Sequence, residues 1–186
     1  DSFPIEKALH PDTILAYQMN GEPLPPSHGY PLRAIVPGIY GIKNVKWLTR
    51  IEVVDRNYKG YWQRRGWSDA GIIKLISRID MPKEGATVGG EVMVAGIAFG
   101  GLAGVSRVEV STDGERTWDQ ATVKEPLSPY AWSLWKYRWT PSGTGEYTLV
   151  VRAYDRQGTV QFPGTLFGGA FPSGAEGYHK VRVTVR

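Results

Sequence analysis

From residue 76 to residue 186 the chain is a run of short segments with alternating polarity, broken by turn residues, and that rhythm leaves few folds open. The segments 76–80, 91–99, 106–111, 118–123, 132–139, 147–154, 160–162 and 178–185 are all of strand length or shorter. Between them stand Pro82-Lys83-Glu84-Gly85, Gly100-Gly101, Asp113-Gly114, Pro141-Ser142-Gly143 and Asp155-Arg156-Gln157-Gly158. Side chains along a strand point alternately to its two faces. Val181, Val183 and Val185 therefore share one face, and Arg182, Thr184 and Arg186 the other. Leu149, Val151 and Ala153 alternate in the same way with Arg152 and Tyr154, and Val92 and Val94 with Glu91 and Met93. Regular short strands with such breaks predict a β-sandwich. The 111 residues from Ile76 to Arg186 are enough to bury an independent core.

Within this region Trp135, Tyr137 and Trp139 share a face, opposite Lys136 and Arg138. Buried, that face is sandwich core; exposed, it would be a contact for protein or carbohydrate. Ser111-Thr112-Asp113-Gly114-Glu115-Arg116-Thr117-Trp118 is similar to the Asp-box turn of sialidase propellers. That box has glycine where Glu115 stands, and no second copy occurs, so the stretch reads as a hairpin turn over Trp118. Gly145-Glu146-Tyr147-Thr148-Leu149 followed by Tyr154-Asp155 resembles the late-strand pattern of immunoglobulin-like folds.

The first 75 residues have a different texture. Residues 4–9 suggest one helical turn, and residues 14–19 a strand that meets a hairpin at Asn20-Gly21. Pro23 and Pro25 keep the following segment at an edge. Residues 32–36 could form a short strand, and residues 46–54 a clearer one, with Trp47, Thr49, Ile51 and Val53 on one face. Tyr58, Lys59, Tyr61, Trp62, Arg64, Arg65 and Trp67 form an aromatic and basic run. It could stack on a flat ligand or on single-stranded nucleic acid, or it could be an amphipathic connector covering a core with its cations outward. Ser68-Asp69-Ala70 could cap a short helix through Leu75.

Residues 27–47 carry the chemistry. His28, Arg33, Lys43 and Lys46 supply donors, and Gly29, Gly38 and Gly41 let the backbone approach a ligand. Such a loop suits phosphate or another anion; a basic surface loop between strands fits the same residues. Residues 28–65 hold eight Lys/Arg against two acids, a local surplus that suits a small anion. The net charge of +4, without a basic tract, does not point to nucleic acid. His10 reads as a surface residue in a turn and His179 as structural, no paired metal-ligand spacing occurs, and no nucleophile lies beside a base.

Met19-Asn20-Gly21-Glu22-Pro23-Leu24-Pro25, His28-Gly29-Tyr30-Pro31-Leu32-Arg33, Val36-Pro37-Gly38-Ile39-Tyr40-Gly41 and Asn44-Val45-Lys46-Trp47-Leu48 together resemble the sulfite oxidase family of molybdopterin-dependent oxidoreductases. The resemblance implies that His28, Arg33, Asn44, Val45 and Lys46 bind the molybdenum-molybdopterin cofactor. It implies a mainly β chain: an incomplete α+β molybdopterin-binding segment at 1–73, then an immunoglobulin-like dimerisation domain at 74–186. It further implies oxygen-atom transfer in the complete enzyme, a small-molecule oxo-acceptor or oxo-donor, a separate electron acceptor or donor, and a homodimer through the second domain. No catalytic residue or metal ligand of this chain follows from it.

Two departures from the family matter. The family's molybdenum is held by a cysteine from an earlier segment, and this sequence has none. The polypeptide therefore reads as an excised fragment or processed product, inactive by itself. In animal and plant members a substrate-pocket arginine comes from shortly before the last strand; residues 163–177 here contain no Lys or Arg, and Glu176 adds a negative charge. That points away from sulfite, a small dianion, toward a sulfoxide or another organic oxide. The contrasting reading is an extracytoplasmic β-sandwich binding module without redox activity.

Overall fold

The chain begins with proline-punctuated turns, and few of its N-terminal residues join a ladder. The computed structural model describes residues 1–164 and 169–186. It divides into two units, one of Asp1–Ile73 with Phe171–Gly174, the other of Lys74–Ala170 with Ala175–Arg186.

In the first unit a four-residue helix, α1 (Ile5–Ala8), leads to β1 (Ile14–Ala16) and β2 (Gln18–Met19). Asn20 and Gly21 both adopt positive φ (53° and 83°), the geometry of a two-residue hairpin turn. They return the chain as β3 (Glu22–Pro23), which pairs with β2. β4 (Arg33–Ile35) runs antiparallel to β1, with Leu15 opposite Ala34. The other side of β4 meets residues 44–48, where Ala34 N–H donates to the Val45 carbonyl (2.9 Å) and Leu48 N–H to the Leu32 carbonyl (2.9 Å).

Two expected elements are absent here. Residues 46–54 form no strand: Trp47 takes a left-handed φ of 52°, which interrupts any ladder, and Ile51 and Val53 are exposed. Residues 68–75 form no helix. Ser68 Oγ does accept the Gly71 N–H (3.2 Å), but Gly71 turns left-handed and the chain leaves as an extended bridge to Ile39. The aromatic run does not cover a core either. Gly60 and Gln63 are its buried members, whereas Tyr58, Tyr61 and Trp62 are about half exposed.

The second unit is the immunoglobulin-like sandwich. β5 (Ile76–Met81), β7 (Val92–Phe99), β10 (Thr122–Val123) and β11 (Ser133–Trp139) make an antiparallel sheet in the order β10-β11-β7-β5. β6 (Ala86–Val88), β8 (Arg107–Ser111), β9 (Asp119–Gln120), β12 (Gly145–Tyr154) and β13 (His179–Val185) make the second, in the order β6-β13-β12-β8-β9. β6 pairs parallel to β13; the other ladders are antiparallel. The inward residues, among them Val94, Val108, Val110, Leu149, Val151, Val181 and Val183, form one apolar cluster with Trp135 and Trp139. The aromatic face is thus core. The expected strand at 118–123 is split instead: buried Ala121 lies where the chain passes from one sheet to the other.

The turn before Trp118 explains its own sequence. Asp113 accepts the Ser111 and Thr117 hydroxyls and the N–H groups of Arg116 and Thr117. These bonds, that from the Thr117 hydroxyl first, hold its carboxyl far below the usual range. Glu115, where the box has glycine, sits at φ 73° and pairs with Lys180. Tyr137 donates to Asp119 (2.7 Å); burial, aided by that carboxylate, pushes its phenol up to about 12. His10 is exposed beside Asp12, and His179 Nδ1 accepts the Ile79 N–H (3.2 Å).

Candidate cofactor-binding site

Pro25 and Pro26 preset the backbone for a tight turn, and residues Pro26–His28 close one turn of 3-10 helix. His28 N–H donates to the Pro25 carbonyl (2.9 Å) and Gly29 N–H to the Pro26 carbonyl (3.1 Å). Gly29 ends the turn at φ 110° and is buried. A Cβ there would stand 3.1 Å from the Cβ atoms of both Arg33 and Lys46. Glycine therefore seats the turn on the stems of two cationic side chains, one from β4 and one from the segment beside it.

The two side chains reach back to the same turn. Arg33 Nη1 donates to the His28 carbonyl (3.0 Å), and Lys46 Nζ to the Ser27 carbonyl (3.0 Å). His28, Arg33 and Lys46 are thus brought together around one glycine. The His28 side chain is exposed.

Asn44 and Val45 shape the wall. Asn44 Oδ1 accepts the Val36 N–H (2.6 Å), and its Nδ2 donates to the Ile39 and Tyr40 carbonyls (3.3 and 3.2 Å). Its amide is spent on holding the 36–40 loop, while Val45 contributes its carbonyl to β4. Gly174, a late residue that belongs to this unit, lies where a Cβ would fall 2.2 Å from the Tyr40 ring.

Lys43, grouped by sequence with the donors of this loop, is removed from it. It is 1% exposed, 2.9 Å from the Asp1 carboxylate and 3.6 Å from that of Asp69. Burial lowers its ammonium below the ordinary lysine range, and Asp69 opposes the shift. Asp69 is itself held low, first by the Asn57 amide (2.6 Å). The sequence has no local signal for this cluster, because its partners are distant in the chain.

The phosphate end of a molybdopterin is an anion that wants converging donors. Arg33 Nε is buried and has no hydrogen-bond partner among the described residues, a donor left for an acceptor. The buried glycine lets the stems of Arg33 and Lys46 converge on one turn. These features fit the cofactor. Among the described residues no group of three or more His, Cys, Asp or Glu is placed to hold a metal ion. A groove on the sandwich also gathers cations, but Arg78 pairs with Asp80 (2.8 Å), Arg182 with Glu84 (2.8 Å), and Lys180 with Glu115.

Known proteins resemble this chain in sequence and in fold. Residues 1–62 match the oxidoreductase molybdopterin binding domain, and residues 72–186 the Mo-co oxidoreductase dimerisation domain. The chain is 37% identical to human mitochondrial sulfite oxidase over 86% of its own length and 34% of that protein's. It is 32% identical to a Phaseolus vulgaris NADH nitrate reductase, over 83% of this chain and 22% of that one. The sulfane dehydrogenase SoxCD from Paracoccus pantotrophus superposes with a TM-score of 0.70 at 30% identity, covering 86% of this chain and 44% of that one. The chain spans about a third of the length of the mammalian sulfite oxidases it matches. It belongs to the sulfite oxidase family of molybdopterin-dependent oxidoreductases, and carries sequence from both the cofactor-binding and the dimerisation domains of that family.

Proposed function

We propose that residues 1–73 form the later part of a molybdopterin-binding domain, that residues 74–186 form a dimerisation domain, and that the complete enzyme transfers an oxygen atom to or from a small molecule. The observation that carries this reading is the convergence of Arg33 and Lys46 on the turn at Gly29, with Arg33 Nε unpartnered. The molybdenum centre, when bound, supplies the two-electron oxygen transfer. This chain's part is to bind and orient. Arg33 offers its guanidinium fork to the cofactor phosphate, Lys46 a point charge, and His28 a neighbouring hydrogen bond. Asn44 fixes the loop behind them and Val45 anchors that run to β4. A separate redox partner exchanges electrons with the centre, and the enzyme works as a homodimer.

The substrate is an oxo-acceptor or oxo-donor less charged than sulfite. Glu176 is ion-paired with Lys74, so it adds no free negative charge, and residues 163–177 offer no cation to a dianion. Residues 165–168 of that stretch lie outside the described residues. Turnover of the complete molybdenum-loaded enzyme with sulfite, nitrate and sulfoxides decides this; sulfite giving the highest kcat/KM by a wide margin sinks it.

Cofactor retention tests the site itself. A charge-assisted bond to phosphate is worth about 1.5–3 kcal/mol, so Arg33→Ala in the complete enzyme weakens cofactor binding roughly 10- to 100-fold. Lys46→Ala does somewhat less. Unchanged occupancy in Arg33→Ala, at limiting cofactor, removes the assignment.

A further inference from the structure

Three successive carbonyls of the Pro26–His28 turn each accept a side-chain donor. Arg33 takes that of His28 and Lys46 that of Ser27. The third, on Pro26, accepts the indole N–H of Trp47 at 2.9 Å. The Trp47 ring also lies under the Lys46 ammonium, 4.9 Å from its centroid. One residue thus grips the turn that carries His28 and Gly29, and supports one of the two cations set against it.

The backbone at Trp47 is unusual. It has a φ of 52°, a region that favours glycine and disfavours residues with large side chains. Were residues 46–48 regular strand, side chain 47 would point away from side chain 46. The left-handed kink bends the path, so that residues 46 and 47 both reach the same turn. Glycine would hold this conformation without strain but would supply neither ring nor N–H. A strained residue kept beside a binding site invites a functional explanation.

We infer that Trp47 is a positioning residue for phosphate recognition: its indole fixes the Pro26–His28 turn and the Lys46 ammonium in the arrangement the anion meets. The inference rests on the anion-site reading given above. It separates from an ordinary stabilising role because strain and grip have opposite signs. Trp47→Gly relieves the backbone while deleting the indole. Trp47→Phe keeps a ring under Lys46 and removes only the donor.

The test uses the 186-residue chain with inorganic phosphate and pyrophosphate as probes. The Arg33 Nε–H and tryptophan indole N–H resonances are followed by NMR during titration, and thermal unfolding is recorded on the same samples. In the wild-type chain the Arg33 Nε–H and Trp47 indole signals move together on adding either anion. Trp47→Phe binds roughly five- to tenfold more weakly, the loss of one neutral hydrogen bond. Trp47→Gly binds at least as weakly as Trp47→Phe, yet unfolds at the same temperature as wild type or higher. Wild-type affinity in both variants overturns the positioning role and leaves the anion site standing. Affinity and stability falling together in both variants reduces Trp47 to a structural residue. No response of Arg33 in the wild-type chain removes the anion site and this inference with it. Should neither variant fold, the wild-type Trp47 indole signal decides: one that stays still while Arg33 responds overturns the positioning role.

Discussion

The two units of this chain are ordered by different forces. The sandwich surrounds an apolar cluster in which Val94, Val108, Val110, Leu149, Val151 and Ala153 are fully buried. The N-terminal unit has three buried hydrophobic residues, Leu24, Ala34 and Val36, and its most occluded large side chain is a lysine. Ile14, Leu15, Ile51 and Val53, which sequence alone would place inside, are exposed there. What holds this unit's turns is polar: the Asn44 amide on the 36–40 loop, Lys43 between two carboxylates, and Arg33, Lys46 and Trp47 on one turn. Apolar burial gives a fold that stands by its own area. Polar clamps give geometry, at little net stability each. A cofactor site needs the second.

The sharpest way to break this comparison is to separate the units. Residues 74–186 expressed alone unfold in one cooperative transition, whereas residues 1–73 bind a hydrophobic dye and show none. A cooperative transition in the isolated 1–73 fragment would falsify the contrast.

Next in size is the buried lysine. Removing one partner of a buried ion pair costs about 3–5 kcal/mol. Asp69 is partly solvated, so Lys43→Met in the 186-residue chain is expected to cost the N-terminal unit about 2–3 kcal/mol. Adding Asp69→Asn restores part of that loss, since one uncompensated carboxylate is gone. Equal stability of wild type and Lys43→Met in denaturant melts would mean that the cluster is ornamental.

A smaller effect sharpens the sandwich side through pH. The Asp113 carboxyl is held below its ordinary value of 3.8 in the folded state. Its stabilising contribution is therefore complete above that value and disappears as pH falls toward the folded pKa. Asp113→Asn melts below wild type at pH 7, and the gap closes under acid, beginning near pH 4. A gap independent of pH would show that the Asp113 charge is irrelevant to the turn.

The smallest expected change is a gain. Glu115 pays for its left-handed backbone, and its exposed pair with Lys180 returns only part of that. Glu115→Gly should stabilise the sandwich by about 0.5 kcal/mol. A loss of similar size in chemical denaturation would mean that the ion pair outweighs the strain.

Sequence by itself determined the sandwich, because period-two alternation and turn residues are local properties and each strand carries them. The Asn20-Gly21 hairpin was legible for the same reason, as was the structural part played by His179. So was the family, and with it the cofactor, through the order of its motifs along the chain. The tertiary structure decided matters that depend on residues far apart or on backbone choices the side chain does not announce. It buried Lys43 by bringing Asp1 and Asp69 to it, across 42 and 26 residues. It split residues 118–123 between two sheets at Ala121, since alternation does not say which sheet a strand joins. It also gathered Arg33, Lys46 and a left-handed Trp47 on a single turn. A residue's propensity disfavours that conformation, and only the hydrogen bonds and packing around Trp47 hold it there.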